Sequence, residues 1–184
     1  MNYKDYQNAR DAAWRLLIDL KVGEMPVKPG TMCRTIGIKV RYYTPEDGND
    51  GMSFLSDGVP TILVSSADPL PRQRFTAAHE LGHILLGHVG RYQLVNREPS
   101  AQDNPVEQAA NVFASRLLAP ACVLWGCNAR TPEQIASLCD ISLQAAQFRA
   151  ERMELLYRRN KFLTSPLERQ VYQQFADYIA THKL

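Results

Sequence analysis

The chain of 184 residues has little of what marks specialised classes of protein. No apolar run approaches the roughly 20 residues that cross a bilayer, so the sequence predicts no membrane span. The formal net charge is only +2, which by itself argues for no strongly electrostatic partner. The four cysteines form no Cys-x-x-Cys pair, and we expect reduced thiols. The first residues lack the apolar core of a signal peptide, so we expect a cytoplasmic protein.

What is present is the composition of an ordinary globular domain. Hydrophobic residues make up 45% of the chain and charged residues 22%, which is usual for a protein with a substantial core. The sequence contains neither an internal repeat nor a low-complexity segment. We predict a principal core domain over residues 1–128. A C-terminal helical segment over residues 129–184, similar to a helix-turn-helix, should pack on that core.

The pattern of apolar residues predicts an α+β fold. Apolar residues recur at helical spacing over residues 4–21, whereas Ile38, Val40 and Tyr42 alternate with their neighbours as in a half-buried strand. Asp57-Gly58 between two apolar runs indicates a hairpin. The other predicted elements are a short helix at 29–35, strands at 52–55 and 61–65, loops at 44–51 and 90–104, a helix from Pro105 to Leu118, two helices between Thr131 and about Arg159, and one from Ser165-Pro166 to about Ala180.

One predicted helix carries a metal-binding pattern. Residues 74–86 contain His79, Glu80 and His83 in the arrangement His-Glu-x-x-His. On a helix the two histidines lie on the same face, so their imidazoles can bind one zinc ion. Glu80 lies beside that face, where it can take a proton from water without being a ligand. Surface residues, or hydrogen-bonded core residues that bind no metal, would give the same pattern.

A catalytic zinc site has three protein ligands and leaves one position open, so the two histidines need a partner from another segment. Glu107, which lies 24 residues after His83, is the best candidate. Asn111 lies one turn later, where its amide could hydrogen-bond a ligand and fix the orientation of its ring. The alternative for Glu107 is a solvated first-turn carboxylate that the helix dipole favours.

His88 is the competing candidate for a ligand. The extended three-histidine pattern requires Gly three residues after the second His and a third His three residues further on. This chain has Leu86 and Val89 there. On an unbroken helix His88 would also point away from His79. We therefore predict that His88 is a polar residue at the helix end, and that His182 is exposed in the tail.

These residues together resemble the ImmA/IrrE family of zinc metallopeptidases. The resemblance rests on two segments, one from Arg74 to Leu86 and one from Glu107 to Pro120. Residues 25–27 and 36–40 are similar to the usual opening of the family, and residues 135–146 to its helical segment. The two central motifs are specific together and weak apart.

The resemblance implies a zincin-like fold of the gluzincin type, with a small β-sheet, an active-site helix and C-terminal helices. It implies a Zn²⁺ site of His79, His83 and Glu107, with Glu80 as the general base. It also implies a substrate class: helix-turn-helix repressor proteins, often from phages or mobile elements, which are cut to derepress genes. We expect the strand at 61–65 to lie beside the cleft and to pair with an extended substrate.

Two other classes of function compete with a peptidase. Residues 131–159 could bind DNA as a helix-turn-helix, but a chain of net charge +2 is not a strong phosphate binder. A zinc-containing interaction module could instead displace a repressor without cutting it. Glu80 argues against that, because structural zinc normally fills all four positions with ligands. The basic residues near the second helix are Arg149, Arg152, Arg158, Arg159 and Lys161, and the candidates for stabilising an oxyanion are Tyr92, Tyr157 and Arg158.

Overall fold

The computed structural model describes residues 1–44, 51–89 and 104–184. The loops predicted at 44–51 and 90–104 therefore lie almost wholly outside the described residues, as does Tyr92. The domain boundary predicted at residue 128 stays a prediction. By the clustering of its contacts the chain forms two compact units, the first from Met1–Ala12 and Lys28–Ala114, and the second from Ala13–Val27 and Ser115–Leu184.

A three-stranded sheet lies in the first unit. Strand β1 (Lys39–Tyr43) pairs parallel with β3 (Val59–Ser65), and β3 pairs antiparallel with β2 (Gly51–Ser56). The order β1-β3-β2 makes β3 the middle strand, whose two edges are both hydrogen-bonded. The prediction that residues 61–65 pair with an extended substrate is therefore wrong. Among the described strands, the open edges belong to β1 and β2.

The hairpin between β2 and β3 turns at Asp57 and Gly58, as the sequence predicts. Their φ angles are +52° and +74°, a left-handed conformation that suits this pair of residues. On β1 the predicted alternation ends early. Ile38 is buried just before the strand, but Tyr42 is 57% exposed, since an edge strand has a neighbour on one side only.

Four of the helices that the structure describes contribute residues to the first unit. Helix α3 (Leu70–Leu85) packs against the sheet on β2 and β3 and against α2 (Pro29–Thr35). Residues 76–83 of α3 are all buried, as the apolar and small side chains around the histidines predict. Helices α1 (Tyr3–Asp19) and α4 (Pro105–Leu118) contribute residues to both units.

The second unit is helical wherever it has regular structure. Thr131 begins α6 with a capping box, in which its hydroxyl accepts a hydrogen bond from the Gln134 N–H and the Gln134 side chain accepts one from the Thr131 N–H. Ser142 and Ser165 cap the helices that follow. The helices are α5 (Ala121–Gly126), α6 (Pro132–Cys139), α7 (Leu143–Arg158), α8 (Pro166–Gln174) and α9 (Ala176–Thr181).

Two features of the second unit differ from the predictions. Pro120 ends α4 as expected, but the chain resumes as α5 at once, because Pro120 also lies just before a new helix start. The last helix is two helices, which meet at Phe175 with ψ of 10°. The apolar spacing hid this break, because Val171, Phe175 and Ile179 are all buried on either side of it.

One helical stretch among the described residues, Pro105–Gly126, is long and apolar enough to cross a membrane by length and composition. Of its most apolar part, 67% is buried inside the protein. Glu107 and Arg116 lie within it, and Pro120 interrupts it. These are the properties of core helices rather than of a lipid-facing span.

Candidate metal centre

The two histidines of α3 lie on the buried face of that helix. His79 is 3% exposed and His83 4% exposed, and their Nε2 atoms are 3.0 Å apart. The spacing of four residues brings the rings together on one face, as predicted. Glu80, between them in sequence, is 4% exposed. Three polar side chains are thus withdrawn from water on a single helix, which costs free energy unless they have partners.

Glu107 joins this pair from α4. Its Oε2 lies 3.1 Å from His79 Nε2, and its Oε1 lies 3.3 Å from His83 Nε2. It is 5% exposed, so the alternative of a solvated first-turn carboxylate is excluded. The Glu107 carboxylate thus faces the Nε2 atoms of His79 and His83, which also lie next to each other. His79, His83 and Glu107 form the group of potential metal ligands among the described residues.

The separations of these atoms fit a zinc ion. Zn–N and Zn–O bonds of about 2.0–2.2 Å at tetrahedral angles separate neighbouring ligand atoms by about 3.3–3.5 Å. The observed separations of 3.0, 3.1 and 3.3 Å require only small outward movements to reach that value. Two imidazole nitrogens and one carboxylate would leave one position of a four-coordinate ion free of these three side chains. That donor set is typical of catalytic zinc rather than of structural zinc.

The charge of the cluster also suits a cation. Hydrogen bonds from His79, and then from His83, hold the pKa of Glu107 well below its usual range, although burial opposes this shift. The carboxylate is therefore ionised at neutral pH. A buried carboxylate beside two imidazole nitrogens offers a divalent cation both negative charge and lone pairs.

Asn111 lies where the sequence predicts it, behind one of the histidines. Its Oδ1 is 2.9 Å from His79 Nδ1. An amide oxygen can only accept, so His79 Nδ1 carries a hydrogen, and Nε2 is then the nitrogen that would release its proton to bind a metal. Asn111 thus selects the tautomer of His79 that can bind a metal.

His88 lies just past the end of α3, as predicted, but its contact with His83 is one that the sequence analysis missed. Its Nδ1 lies 3.0 Å from His83 Nδ1, on the side of the His83 ring away from Glu107. Burial, and then the neighbouring His83, lower the pKa of His88 to about 4, so His88 is neutral at neutral pH. Only on an unbroken helix was His88 expected to point away from His79, and a contact with His83 was not considered. Gly87 ends the helix with φ of +73° and reverses the direction of the chain. A glycine at this position is a signal in the sequence for such a reversal.

Ser53 is the second missed residue, and it contacts Glu80. Its Oγ donates a hydrogen bond of 2.7 Å to Glu80 Oε2. Ser53 lies on β2, and Glu80 lies on the side of α3 that packs against that strand. The hairpin pattern predicts that Ser53 lies in a strand. Nothing in the sequence indicates that this strand packs against α3 and brings Ser53 to Glu80.

The three candidates for stabilising an oxyanion stay predictions. Tyr92 lies outside the described residues. Tyr157 and Arg158 belong to the second unit, where Arg130 covers the ring of Tyr157 at 4.5 Å and Arg158 pairs with Glu154. The cluster itself provides a buried carboxylate for proton transfer beside three potential metal ligands, which is the minimum for metal-assisted hydrolysis.

Comparison with known proteins supports the same chemistry. The Peptidase_M78 family model, described as the IrrE N-terminal-like domain, matches residues 33–151. This range is more than half of the chain and includes His79, Glu80, His83 and Glu107. No curated protein matches the chain.

Proposed function

The chain belongs to the Peptidase_M78 family, and from that premise we propose that it is a zinc-dependent endopeptidase that cleaves a helix-turn-helix repressor. The observation that carries the proposal is the convergence of His79, His83 and Glu107 within hydrogen-bonding distance of one another. Glu80 adds a buried carboxylate next to the first ligand. Neither feature would be needed in a protein that only binds its partner.

Zinc is the metal that best suits these ligands. Imidazole nitrogen with one carboxylate oxygen is a common catalytic donor set for it. When bound, the ion supplies a Lewis acid that polarises a carbonyl and makes water acidic near neutral pH. His79, His83 and Glu107 would hold it, while Asn111 would fix the ring of His79.

Glu80 performs the proton transfers in this proposal. Its carboxylate accepts the proton of the attacking water and then donates that proton to the nitrogen of the departing peptide segment. The hydrogen bond from Ser53 Oγ holds Oε2 of this carboxylate in place. Because Glu80 lies on the same helix as two ligands, the base and the metal keep a fixed relation to each other.

The substrate would bind as an extended segment along β2. Since β3 is enclosed by its neighbours, the edge of the sheet nearest to Glu80 is that of β2, which carries Ser53. Pairing by main-chain hydrogen bonds suits a peptidase, because every peptide bond presents the same groups.

The substrate class follows from the family resemblance rather than from the geometry. A repressor with a helix-turn-helix domain, from a phage, a mobile element or a stress regulon, would lose DNA binding when cut. The partner is thus a protein in the cytoplasm, and no membrane is involved.

The test is cleavage of a defined candidate. The purified chain, loaded with zinc, is incubated with the repressor encoded beside its gene, and the fragments are identified by mass spectrometry. One specific cut, which disappears with a chelator and in the Glu80→Gln variant, supports the proposal. An intact repressor that still binds the chain tightly would favour the interaction module that acts without proteolysis.

Direct DNA binding is the less favoured alternative. Helices α6 and α7 are joined by a short turn at residues 140–142, but Arg149 on α7 is 3% exposed and its Nε donates to the carbonyl of Ala119. Arg158 is paired with Glu154 on the surface of α7. At least two of the basic residues expected to contact phosphate are therefore engaged within the protein. Tight duplex binding that weakens steeply with salt would reverse this order.

A further inference from the structure

The turn after α3 folds His88 back onto His83. The His88 N–H donates to the His83 carbonyl at 2.9 Å, and the Gly87 N–H donates to the Ile84 carbonyl at 3.1 Å. With Gly87 at φ of +73°, these two bonds form a Schellman motif, the helix ending that requires a left-handed residue at this position. The motif therefore ties the backbone of His88 to the residue that its ring also contacts.

The rings of His83 and His88 contact each other through their Nδ1 atoms. His83 Nδ1 and His88 Nδ1 are 3.0 Å apart, with the rings at an angle of 66°. A hydrogen bond between two ring nitrogens needs one N–H and one lone pair. If His83 Nε2 releases its proton to bind a metal, the remaining hydrogen of the ring lies on Nδ1. His83 is then the donor, and His88 Nδ1 is the acceptor.

We propose that His88 is a positioning residue, which accepts a hydrogen bond from His83 Nδ1 and so fixes the ring and the tautomer of that ligand. It would do for His83 what Asn111 does for His79, whose Nδ1 lies 2.9 Å from the amide oxygen. The inference rests on the proposed zinc binding by His79, His83 and Glu107. His88 is not itself a ligand, because its Nδ1 is engaged on the far side of the His83 ring.

The two orienting groups come from different parts of the fold. Asn111 lies on α4, one turn after Glu107, whereas His88 belongs to the turn that ends α3. Such outer partners keep a ligand ring from rotating, and their loss typically weakens metal binding by about 10–100-fold. The expected loss at His88 is in that range, with the three ligands left intact.

Asparagine and glutamine provide matched variants at this position. The Oδ1 of Asn is two bonds from Cβ, as is the Nδ1 of His, so His88→Asn keeps an acceptor where His83 needs it. His88→Gln carries its amide one atom further out, near the place of Nε2. His88→Ala removes the acceptor altogether. The three substitutions thus separate the position of the acceptor from the polarity of the side chain.

The experiment measures zinc affinity of the full chain, stripped of metal, by competition with a coloured chelator. We expect His88→Ala and His88→Gln to bind zinc about 10–100-fold more weakly than the wild type, and His88→Asn to stay close to it. Thermal unfolding of the metal-free proteins should be nearly the same for His88→Asn and His88→Gln. The visible spectrum of the Co²⁺ form should change in His88→Gln but not in His88→Asn.

Two results would overturn the inference. The first is a zinc affinity of His88→Ala equal to that of the wild type. The second is equal zinc affinity in His88→Asn and His88→Gln. The second comparison decides the question even if His88→Ala does not fold. The proposed function is tested separately by the wild type and Glu107→Gln. Zinc binding that depends on Glu107 but not on His88 refutes only the positioning role, whereas a wild type that binds no zinc refutes both.

Discussion

Gly82 and Phe113 approach so closely that a methyl group at Gly82 would fit only if Phe113 shifted slightly. A Cβ built on Gly82 would lie 3.0 Å from Phe113 Cδ1 and 3.2 Å from Phe113 Cβ. Gly82 immediately precedes His83 on α3, and Phe113 lies on α4, six residues after Glu107. Because Gly82 presents only hydrogen, the two helices come close enough for the Glu107 carboxylate to reach both imidazoles.

Gly82→Ala should therefore weaken the metal site. Alanine favours a helix over glycine by about 1 kcal/mol, but overpacking of a core costs about 1–3 kcal/mol, so we expect a net loss of stability. The shift of α4 would also move Glu107, and zinc affinity should fall in parallel. Thermal unfolding and chelator competition measure the two effects.

The control for this prediction is a second substitution at the contact. Phe113→Leu shortens the opposing side chain, so the double variant should recover part of the zinc affinity that Gly82→Ala loses. The coupling between the two sites is read from a double-mutant cycle. Strictly additive losses would mean that the contact does not govern the approach of α4.

Glu107→Gln should abolish the stabilisation that zinc gives to the folded protein. A ligand present at about 100 times its Kd stabilises the folded state by about 2.7 kcal/mol, so zinc should raise the Tm of the wild type. The neutral amide lacks the charge that the cluster provides, and zinc should leave the Tm of the variant almost unchanged. Glu133→Gln, an exposed first-turn glutamate on α6, is the matched control and should respond to zinc like the wild type. An equal zinc response in both variants would remove Glu107 from the ligands.

Glu80→Gln should separate metal binding from turnover. Glutamine has nearly the same shape but cannot accept a proton, and general-base catalysis contributes about 10²–10⁴-fold to rate. We expect zinc affinity like that of the wild type and cleavage reduced by that factor. Single-turnover cleavage of the repressor and chelator competition provide the measurements. Cleavage at the parent rate would mean that another group is the base.

The sequence predicted the parts of the site that depend on local geometry. The spacing of His79 and His83 fixes their shared face on any helix. The approach of Glu107 and Asn111 to the histidines was predicted because a zinc ion would need a third ligand and a ligand ring would need an orienting partner. Each of these inferences required only helical periodicity and the coordination number of a metal.

The parts that it missed depend on how elements meet. The predicted role of residues 61–65 was wrong because strand order is a long-range property, and β3 lies between two partners. Ser53 contacts Glu80 only because β2 packs on α3, and His88 returns only because Gly87 reverses the chain. Arg149 looked like a surface cation, although its guanidinium is buried against the carbonyl of Ala119.

Ser53→Ala should slow cleavage without weakening zinc binding. Ser53 Oγ donates to Glu80 Oε2 at 2.7 Å, and a hydrogen bond to a charged group contributes about 1.5–3 kcal/mol. If that energy serves to orient the base, its loss should lower kcat by roughly 10–100-fold and leave KM and zinc affinity unchanged. Steady-state kinetics on the repressor and chelator competition measure these quantities.

The control lies on the same strand. Ser56 is three residues further along β2, so its side chain points to the opposite face from that of Ser53, and Ser56→Ala should be neutral. In a Glu80→Gln background Ser53→Ala should have little further effect, since the carboxylate that it orients is gone. A Ser53→Ala variant that loses zinc would instead show that β2 supports the ligands of α3. Equal rates in the two serine variants would mean that Glu80 is oriented without Ser53.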